Sequence, residues 1–577
     1  MKVDLLIKGG TIADGSGEAT FVGDVALAGD RIVHVGGAFS GEAAETIDAT
    51  GLLVTPGFVD IHTHYDGQAV WSQSLSPSSA HGVTTAVLGN CGVGFAPCRK
   101  EDRQALILLM EGVEDIPGAV MAEGLPWDWE TFPQYLDALA RRPRDIDVAC
   151  LLPHSPLRVW AMGERAIRRE AATADDLARM KATADEALAA GAIGFATSRL
   201  NMHRTKAGEL IPTYGADVDE LCAVGAAMAD AGTGVFQAVL DAPFSTWADE
   251  MARLVAVAES TGRPATFTLG LSNTGPRVWE PALDAVDAAR AKGVEIWPQL
   301  LPRPIGMISG WALSTHAFCL CPSYQPLANL PLEQQLPALR DPAMRARLLA
   351  ELPTEGHPLA ALTRNWDWMF PFGDPPIYEP SADTSIGALA RAQGRTPQEV
   401  TYDLLMENDG QGMILNTLGN FNEGSFDAML PLLRRPDVSI GLGDGGAHYG
   451  AICDASYPTS LLSYWVRDRK GERLSVAEAV EMLTSRPARV MRLEDRGLLK
   501  PGYKADLNVI DMERLTLHGP ELRHDLPGGG RRLYQEATGY VATIVNGRVI
   551  RRMDTETGEH PGRVVRGAQS APVAVAA

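Results

Sequence analysis

The sequence predicts an α/β protein: a (β/α)8 barrel of the TIM type, with a small β-sandwich domain formed by both chain ends. Hairpin-like runs open the chain and return near its end. Between them, apolar strand-like runs alternate with Ala-rich helical stretches, which is the pattern of a parallel sheet covered by helices. Eight such strands can be counted, and eight is the number that closes this kind of barrel.

The terminal segments alternate apolar and polar residues over short runs. Gly-rich turns separate these runs, as in β-hairpins. The pattern covers residues 3–8, 24–27 and 31–35, and it returns at 505–510 and 541–550. Neither end has enough apolar positions for a core of its own. We therefore expect residues 1–55 and 491–555 to form one composite β-sandwich.

The central part, residues 56–490, carries the barrel pattern. Two of the strands end near His62 and Cys91, and the other six candidates are residues 148–152, 192–195, 234–239, 265–269, 294–299 and 438–442. The helix candidates are residues 171–190, 217–231 and 281–292. The stretch of about 312–435 is too long for one crossover, so we expect an inserted helical and loop region above the barrel mouth. Residues 556–577 lack a periodic pattern and predict a flexible tail.

Composition excludes several classes of function. The chain has 577 residues, a formal net charge of −21 and seven scattered cysteines. This acidity argues against a nucleic-acid surface, and no apolar run reaches the ~20 residues that span a bilayer. An odd number of cysteines without an export signal indicates reduced thiols. We expect a cytoplasmic protein that acts on a small molecule, without nucleic-acid or membrane partners.

A pair of histidines follows the first strand of the barrel. His62 and His64 come directly after the apolar run that begins at the turn of Pro56 and Gly57. Residues two apart in a strand point to the same side, so both imidazoles can reach one ion from the strand's end. The pair predicts a divalent metal site.

Several motifs resemble one enzyme family. The segment 56–64 (Pro-Gly-Phe-Val-Asp-Ile-His-Thr-His) after a β-rich region resembles the amidohydrolase superfamily. Residues 89–92 (Gly-Asn-Cys-Gly), 153–158 (Pro-His-Ser-Pro-Leu-Arg), 191–197 and 443–448 resemble the N-acyl-D-amino-acid deacylase branch, of which D-aminoacylase is a member. The resemblance implies the barrel with its composite β domain and a metal-dependent hydrolase of C–N bonds.

The resemblance also implies roles for single residues. Cys91 matches a metal-binding cysteine of the branch, and Asp444 matches the superfamily's aspartate, which binds metal and takes a proton from water. With His62 and His64 they form a set of two nitrogens, one sulfur and one oxygen that suits Zn²⁺. His448, four residues after Asp444, is a second catalytic candidate: as a further nitrogen near the metal, as a hydrogen-bond donor to the transition state or, the role we favour, as a partner that orients a metal ligand.

The chain departs from the branch on the fifth and sixth strands. The resemblance leads us to expect a histidine at the end of each, which would hold a second zinc ion. Gln237 stands on the fifth strand, and the sixth carries only Thr266 and Thr268. We therefore expect one Zn²⁺ per chain.

The substrate-binding candidates lie at or beyond the predicted strand ends. An acidic chain repels anions, so an anionic substrate needs a local basic site. Residues 198–206 form a basic loop at the predicted barrel mouth, which favours a substrate carboxylate held by arginine. The candidates are His154, Arg199, His203, Arg204, Gln237, Gln299 and Arg303.

The reaction predicted by these observations is the hydrolysis of an N-acyl amino acid or related small amide by metal-activated water, with Asp444 as general base. Two alternatives stay open. The same scaffold can serve a lactone or cyclic-amide hydrolase, a lyase or an isomerase with one metal or none. The second alternative is a binding protein without catalytic activity. A homo-oligomer is also possible for such a barrel.

Overall fold

The computed structural model describes residues 1–241, 246–275, 277–353, 360 and 362–572. Both chain ends contribute to one nine-stranded sheet. Its strands are Lys2–Ile12, Phe21–Ala28, Arg31–Gly36, Glu42–Asp48, Leu53–Pro56, Leu507–Ile510, Tyr540–Val545, Arg548–Arg552 and Thr555–Glu556. The two ends join where Leu53–Pro56 pairs antiparallel with Leu507–Ile510. A common core that includes Ile7, Val25 and Ile544 buries one side of this sheet. The sandwich arrangement and its boundaries at 55 and 491 stay predictions.

Eight parallel strands follow one another in chain order. The first to the eighth are Phe58–Asp60, Val83–Leu88, Asp147–Cys150, Gly194–Ser198, Val235–Val239, Ala265–Thr268, Ile296–Leu300 and Ser439–Ile440. The third strand continues as Leu152–Pro153 and so joins a four-stranded sheet to a six-stranded one. All these strands are buried along their length, apart from a half-buried Thr268. This burial explains why they read as continuous apolar runs rather than alternating ones.

The first and eighth strands meet through their C-terminal extensions. The backbone N–H of Asp444 donates to the carbonyl of His62 at 3.0 Å, and that of His64 donates to Gly445 at 2.8 Å. These bonds bring the end of the eighth strand beside the His62–His64 segment.

Helices connect the parallel strands. The main ones are Arg103–Val113, Phe132–Ala140, His154–Met162, Ala174–Ala190, Val218–Ala231, Trp247–Thr261, Glu280–Ala291, Val476–Leu483 and Ser485–Val490. The predicted helices at 171–190, 217–231 and 281–292 agree with three of them. Ala174–Ala190 begins at a capping box, in which the Thr173 side chain accepts from the Asp176 N–H, and it ends at Gly191 with φ 112°. These caps satisfy backbone groups that the helix leaves free.

The predicted insertion has its own sheet and core. Ile305–Ser309 and Met369–Phe372 pair antiparallel with either side of Met413–Gly419. Its helices are Leu332–Leu339, Pro342–Ala350, Ile386–Gln393 and Pro397–Leu405. Trp311, Phe318 and Tyr402 form a buried aromatic cluster at its centre. Whether this region acts as a lid stays a prediction.

The expectation of a flexible tail from residue 556 is wrong for most of that segment. Val564–Val565 forms a parallel strand beside the third strand, pairing with Val148 and Ala149. Gly562 fits so tightly that a Cβ at this position would lie 2.2 Å from the carbonyl oxygen of Ile146. Sequence periodicity missed this strand because two residues are too few to show a pattern. The last part of the predicted tail, residues 573–577, lies outside the described residues.

Two predictions from composition can also be compared with the structure. All seven cysteines are free thiols, and Cys91, Cys98, Cys150, Cys321 and Cys453 are buried. Within the described ranges, no helix combines the length and apolar character that a membrane crossing requires.

Candidate metal centre

The His62–His64 segment is held at the end of the first strand by its neighbours. The Asp60 carboxylate accepts the His62 N–H at 3.1 Å, and Thr63 makes two bonds to the carbonyl of Val87 on the second strand. Both histidine side chains are buried, and their ring centroids lie 5.5 Å apart. The predicted placement of two imidazoles side by side is therefore found.

Cys91 reaches the same place from the second strand. It lies in the turn Asn90–Gly92 with φ 56°, a left-handed conformation that is uncommon for a residue with a Cβ. The side-chain oxygen of Gln237, on the fifth strand, accepts its backbone N–H at 3.1 Å. This bond fixes the turn and directs the Cys91 thiol toward the two histidines.

Asp444 and His448 come from the loop after the eighth strand. Both have positive φ, 46° and 51°. Strained backbone of this kind is found where the surrounding structure holds a side chain in one place. The backbone N–H of His448 donates to the carbonyl of Glu114, so the loop is tied to the end of the helix Arg103–Val113.

Three donor atoms, from His62, His64 and Cys91, lie within 4.8 Å of one another, and a fourth, from Asp444, lies beside the two histidines. His62 Nε2 lies 3.3 Å from Cys91 Sγ, and His64 Nε2 lies 3.8 Å from it. Asp444 Oδ1 lies 3.5 Å from each of the two Nε2 atoms. With bonds of about 2.0–2.3 Å, the donors of a tetrahedral zinc site are about 3.3–3.8 Å apart. The residues present therefore fit one ion.

A glutamine sets the tautomer of His62. The Oε1 atom of Gln299, on the seventh strand, lies 2.9 Å from His62 Nδ1, and its Nε2 donates to Thr266 Oγ1 at 3.0 Å. An amide oxygen only accepts, so Nδ1 carries the proton and Nε2 keeps a lone pair that faces Cys91 and Asp444. Partners of this kind orient metal-binding histidines.

The charge states of the donors favour a cation. Burial lowers the pKa of His62 and lowers that of His64 to about 4, so both rings are neutral at pH 7. Burial raises the pKa of the Cys91 thiol, and the nearby carboxylates raise it further. Asp444 Oδ1 and His64 Nδ1 are buried without a hydrogen-bond partner, and a cation would satisfy Asp444.

Glu114 belongs to this site, although sequence reasoning missed it. Its side chain is 1% exposed, and its Oε2 lies 3.4 Å from His64 Nε2 and 3.4 Å from His448 Nε2. Burial, together with Asp444 and Asp66, raises its pKa well above the usual range. The only sequence signal was a glutamate at a helix end, and many such residues are exposed caps.

Three of the predicted substrate-binding side chains are paired with acidic residues of the protein itself. His154 lies 3.0 Å from the Glu220 carboxylate and 2.9 Å from Thr197 Oγ1. Arg199 forms an ion pair with Glu250 at 3.1 Å. Arg303 is buried against Asp454 at 2.5 Å and stacks on the Tyr378 ring. In each case a buried acidic neighbour, far away in sequence, already occupies the side chain.

The remaining candidates have different environments. The structure places Gln237 and Gln299 behind Cys91 and His62, where they position these ligands. His203 Nδ1 lies 2.8 Å from Ser198 Oγ, at the end of the fourth strand. Arg204 is bonded to the carbonyl of Gly208 and to the Asn201 amide oxygen. Within the described part of the chain, its guanidinium has no carboxylate within ion-pair distance.

Comparisons with known proteins place this chain in one family. The amidohydrolase family profile matches residues 45–551, so the chain belongs to the amidohydrolase family. The predicted class, an amidohydrolase, is therefore confirmed. The similarities to individual enzymes fall in the predicted branch.

D-aminoacylase of Alcaligenes xylosoxydans xylosoxydans is 38% identical over 194 residues, which is 34% of this chain and 37% of that enzyme. N-acyl-D-glutamate deacylase of the same organism is 27% identical over 573 residues, covering 98% of this chain and 97% of that enzyme. The resemblance to the D-aminoacylase branch is thus confirmed.

Solved structures show the same fold. One of D-aminoacylase, described by its binuclear metal centre, has a TM-score of 0.66 at 22% identity and covers 98% of this chain and 100% of that one. N-acyl-D-glutamate deacylase from Bordetella bronchiseptica, complexed with zinc and a phosphonate inhibitor, has a TM-score of 0.64 at 22% identity, with the same coverage.

Proposed function

We propose that the chain hydrolyses the amide bond of an N-acyl amino acid, with one Zn²⁺ held by His62, His64, Cys91 and Asp444. The observation that carries the proposal is the cluster of His62, His64 and Cys91, whose donor atoms lie within 4.8 Å of one another, with Asp444 Oδ1 at 3.5 Å from both histidine Nε2 atoms. Two neutral imidazoles with a thiolate and a carboxylate form a set that suits zinc. The names of the relatives, D-aminoacylase and N-acyl-D-glutamate deacylase, favour an N-acyl-D-amino acid.

We also propose that the eight parallel strands close into a (β/α)8 barrel, with this site at its C-terminal mouth. The backbone bonds from Asp444 to His62 and from His64 to Gly445 support the closure. They connect the last strand with the first at the level of the donors.

A bound Zn²⁺ supplies an acidified water and polarises the amide carbonyl. Asp444 Oδ1 faces both histidine rings, which leaves its other oxygen to take a proton from the attacking water. Water oxygen bonds to the carbonyl carbon, the C–N bond breaks, and Asp444 returns the proton to the leaving nitrogen. The products are a carboxylic acid and a free amine, which exchange a proton at neutral pH to give a carboxylate and an ammonium ion.

His448 and the basic loop have supporting roles in this proposal. The His448 side chain is 29% exposed and so can present a ring N–H to the substrate. Arg204, next to His203, is the best-placed guanidinium for a substrate carboxylate because no acidic partner occupies it. Arg199 is held by Glu250 and is not assigned this role. Cytoplasmic location and a homo-oligomeric state stay predictions.

The test is a substrate screen with the purified, zinc-loaded enzyme. We expect release of a free amino acid from N-acyl-D-amino acids, loss of activity with a chelator, and recovery with Zn²⁺. His62→Asn should lose both metal and activity. Turnover of lactones or cyclic amides with none of N-acyl amino acids would contradict the proposal, and so would metal-independent turnover.

A further inference from the structure

Glu114 occupies a fixed position beside the proposed metal site. It follows the helix Arg103–Val113, and its N–H donates to the carbonyl of Met110 at 2.9 Å. Its own carbonyl accepts the His448 N–H, and the next residue, Asp115, accepts the Gly450 N–H at 3.1 Å. The end of the helix is therefore bonded to the loop that carries Asp444 and His448.

One distance at the Glu114 carboxylate, to His64, matches the distance between two ligands of one ion. Oε2 lies 3.4 Å from His64 Nε2, which is longer than a good hydrogen bond. The other neighbours of His64 Nε2 are Asp444 Oδ1 at 3.5 Å and Cys91 Sγ at 3.8 Å. Three donors thus surround the lone pair of one imidazole at nearly equal distances.

The carboxylate also lacks a partner of opposite charge. Among the described residues, the only basic groups within ion-pair distance of Glu114 are His64 and His448. Its Oε1 is buried without any hydrogen bond. A buried carboxyl group without a counter-charge takes up a proton and becomes neutral, unless a metal ion supplies the missing positive charge.

The other side of the site offers no comparable donor. The Gln237 oxygen accepts the Cys91 N–H at 3.1 Å. Thr266 Oγ1 donates to the carbonyl of Trp297 at 2.8 Å and accepts from Gln299. Both side chains of the fifth and sixth strands are occupied. Glu114, on the crossover after the second strand, supplies a carboxylate oxygen that the strands Val235–Val239 and Ala265–Thr268 lack.

We propose that Glu114 is an additional ligand of the same cation that His62, His64, Cys91 and Asp444 bind. This proposal rests on the proposed function, because it assumes that the four donors hold an ion. It makes the centre a single-ion site with two carboxylates and one thiolate, built from the first, second and eighth strands and the helix end. His448 then lies against a metal-bound carboxylate.

The experiment compares Glu114→Gln with Glu111→Gln. The control makes the same chemical change one helical turn earlier, where Glu111 pairs with Lys206 at 3.5 Å. Zinc affinity is measured by competition with a chromophoric chelator, and bound zinc by elemental analysis. We expect Glu114→Gln to bind zinc at least about 10-fold more weakly, since even outer-shell partners cost 10–100-fold, and Glu111→Gln to match the wild type.

X-ray absorption at the zinc edge of the wild-type holoenzyme is a second measurement that needs no variant. We expect one sulfur and at least four nitrogen or oxygen donors, and one oxygen fewer in Glu114→Gln. Wild-type affinity and an unchanged spectrum in Glu114→Gln would overturn the proposal. Two ions in the wild type with one lost in Glu114→Gln would also overturn it, because Glu114 would then hold a separate ion.

These outcomes separate the inference from the proposed function. If His62→Asn loses zinc while Glu114→Gln keeps it with full affinity, only the role of Glu114 fails. If the wild type binds no zinc, the proposed function fails as well.

Discussion

The carboxamide oxygen of Gln299 lies 2.9 Å from Nδ1 of His62, although the two residues are 237 positions apart in the chain. The seventh strand thereby fixes the tautomer of a ligand on the first. The same glutamine donates to Thr266 on the sixth strand, so its own orientation is also set. The sixth and seventh strands thus orient a side chain of the proposed metal site, at the end of the first strand.

Gln299→Leu should weaken zinc binding by about 10–100-fold, because it removes the group that orients His62. The change keeps the volume nearly constant, and we expect the fold to survive. Chelator competition measures the affinity, with the exposed Gln334→Leu as the control. Equal affinities of the two variants would show that the His62 ring is oriented without Gln299.

Asp444→Asn should lower kcat by about 10²–10⁴-fold, because the amide cannot accept a proton from water. Circular dichroism should show an unchanged fold. The exposed Asp468→Asn is the control and should keep full activity. A variant that retains near-normal turnover would make Asp444 a turn residue with no part in proton transfer.

Arg204→Met and Arg199→Met should behave differently. Arg204 has no acidic partner among the described residues, so its loss should raise KM for an N-acyl-D-amino acid by about 10-fold or more and leave a neutral amide analogue unaffected. Arg199 is held by the buried Glu250, so its loss should lower the thermal midpoint and affect both substrates equally. The opposite pattern would assign the substrate carboxylate to Arg199.

The buried Glu220 should make stability depend on pH. Burial alone would raise its pKa, but the neighbouring His154 and Arg158 lower it to about 2, from a usual 4.5. The folded form therefore holds the charged carboxylate more strongly than the unfolded form does. The resulting stability is complete above about pH 4.5 and is lost as the pH falls toward 2, by about 3 kcal/mol in total.

The measurement is denaturant unfolding of the wild type and Glu220→Gln between pH 7 and the lowest pH at which both remain folded. We expect the difference in unfolding free energy to shrink across this window. Glu259→Gln, at an exposed position, is the control, and its unfolding free energy should change with pH as that of the wild type does. A pH-independent difference would mean that Glu220 is not charged in the folded protein.

Gly562→Val should destabilise the protein by about 1–3 kcal/mol, because the new side chain would overlap the carbonyl oxygen of Ile146. Thermal unfolding measures the effect. Gly37→Val is the matched control, since a Cβ there meets nothing within 4 Å. Equal midpoints for both variants would show that the C-terminal segment does not pack against the third strand.

The sequence by itself determined the features that depend on local patterns. The two-residue period of a strand places His62 and His64 on one side, and the structure shows their rings together. Apolar runs alternating with amphipathic stretches identified the parallel strands and three of the helices that pack around them. Motif resemblance added Cys91 and Asp444, whose donor atoms do converge with the histidines, and the family itself.

Only the tertiary structure decided the contacts between distant residues. Glu114 reaches His448 across 334 positions, and no local pattern distinguishes it from an exposed glutamate at a helix end. The sequence did not indicate the ion pair of Arg199, because its partner Glu250 is 51 residues away, on the second helix after it. The strand at Val564–Val565 has too few residues for a period and forms because the third strand has an open edge. Such pairings depend on which parts of the chain lie close together after folding, and local sequence patterns do not show that proximity.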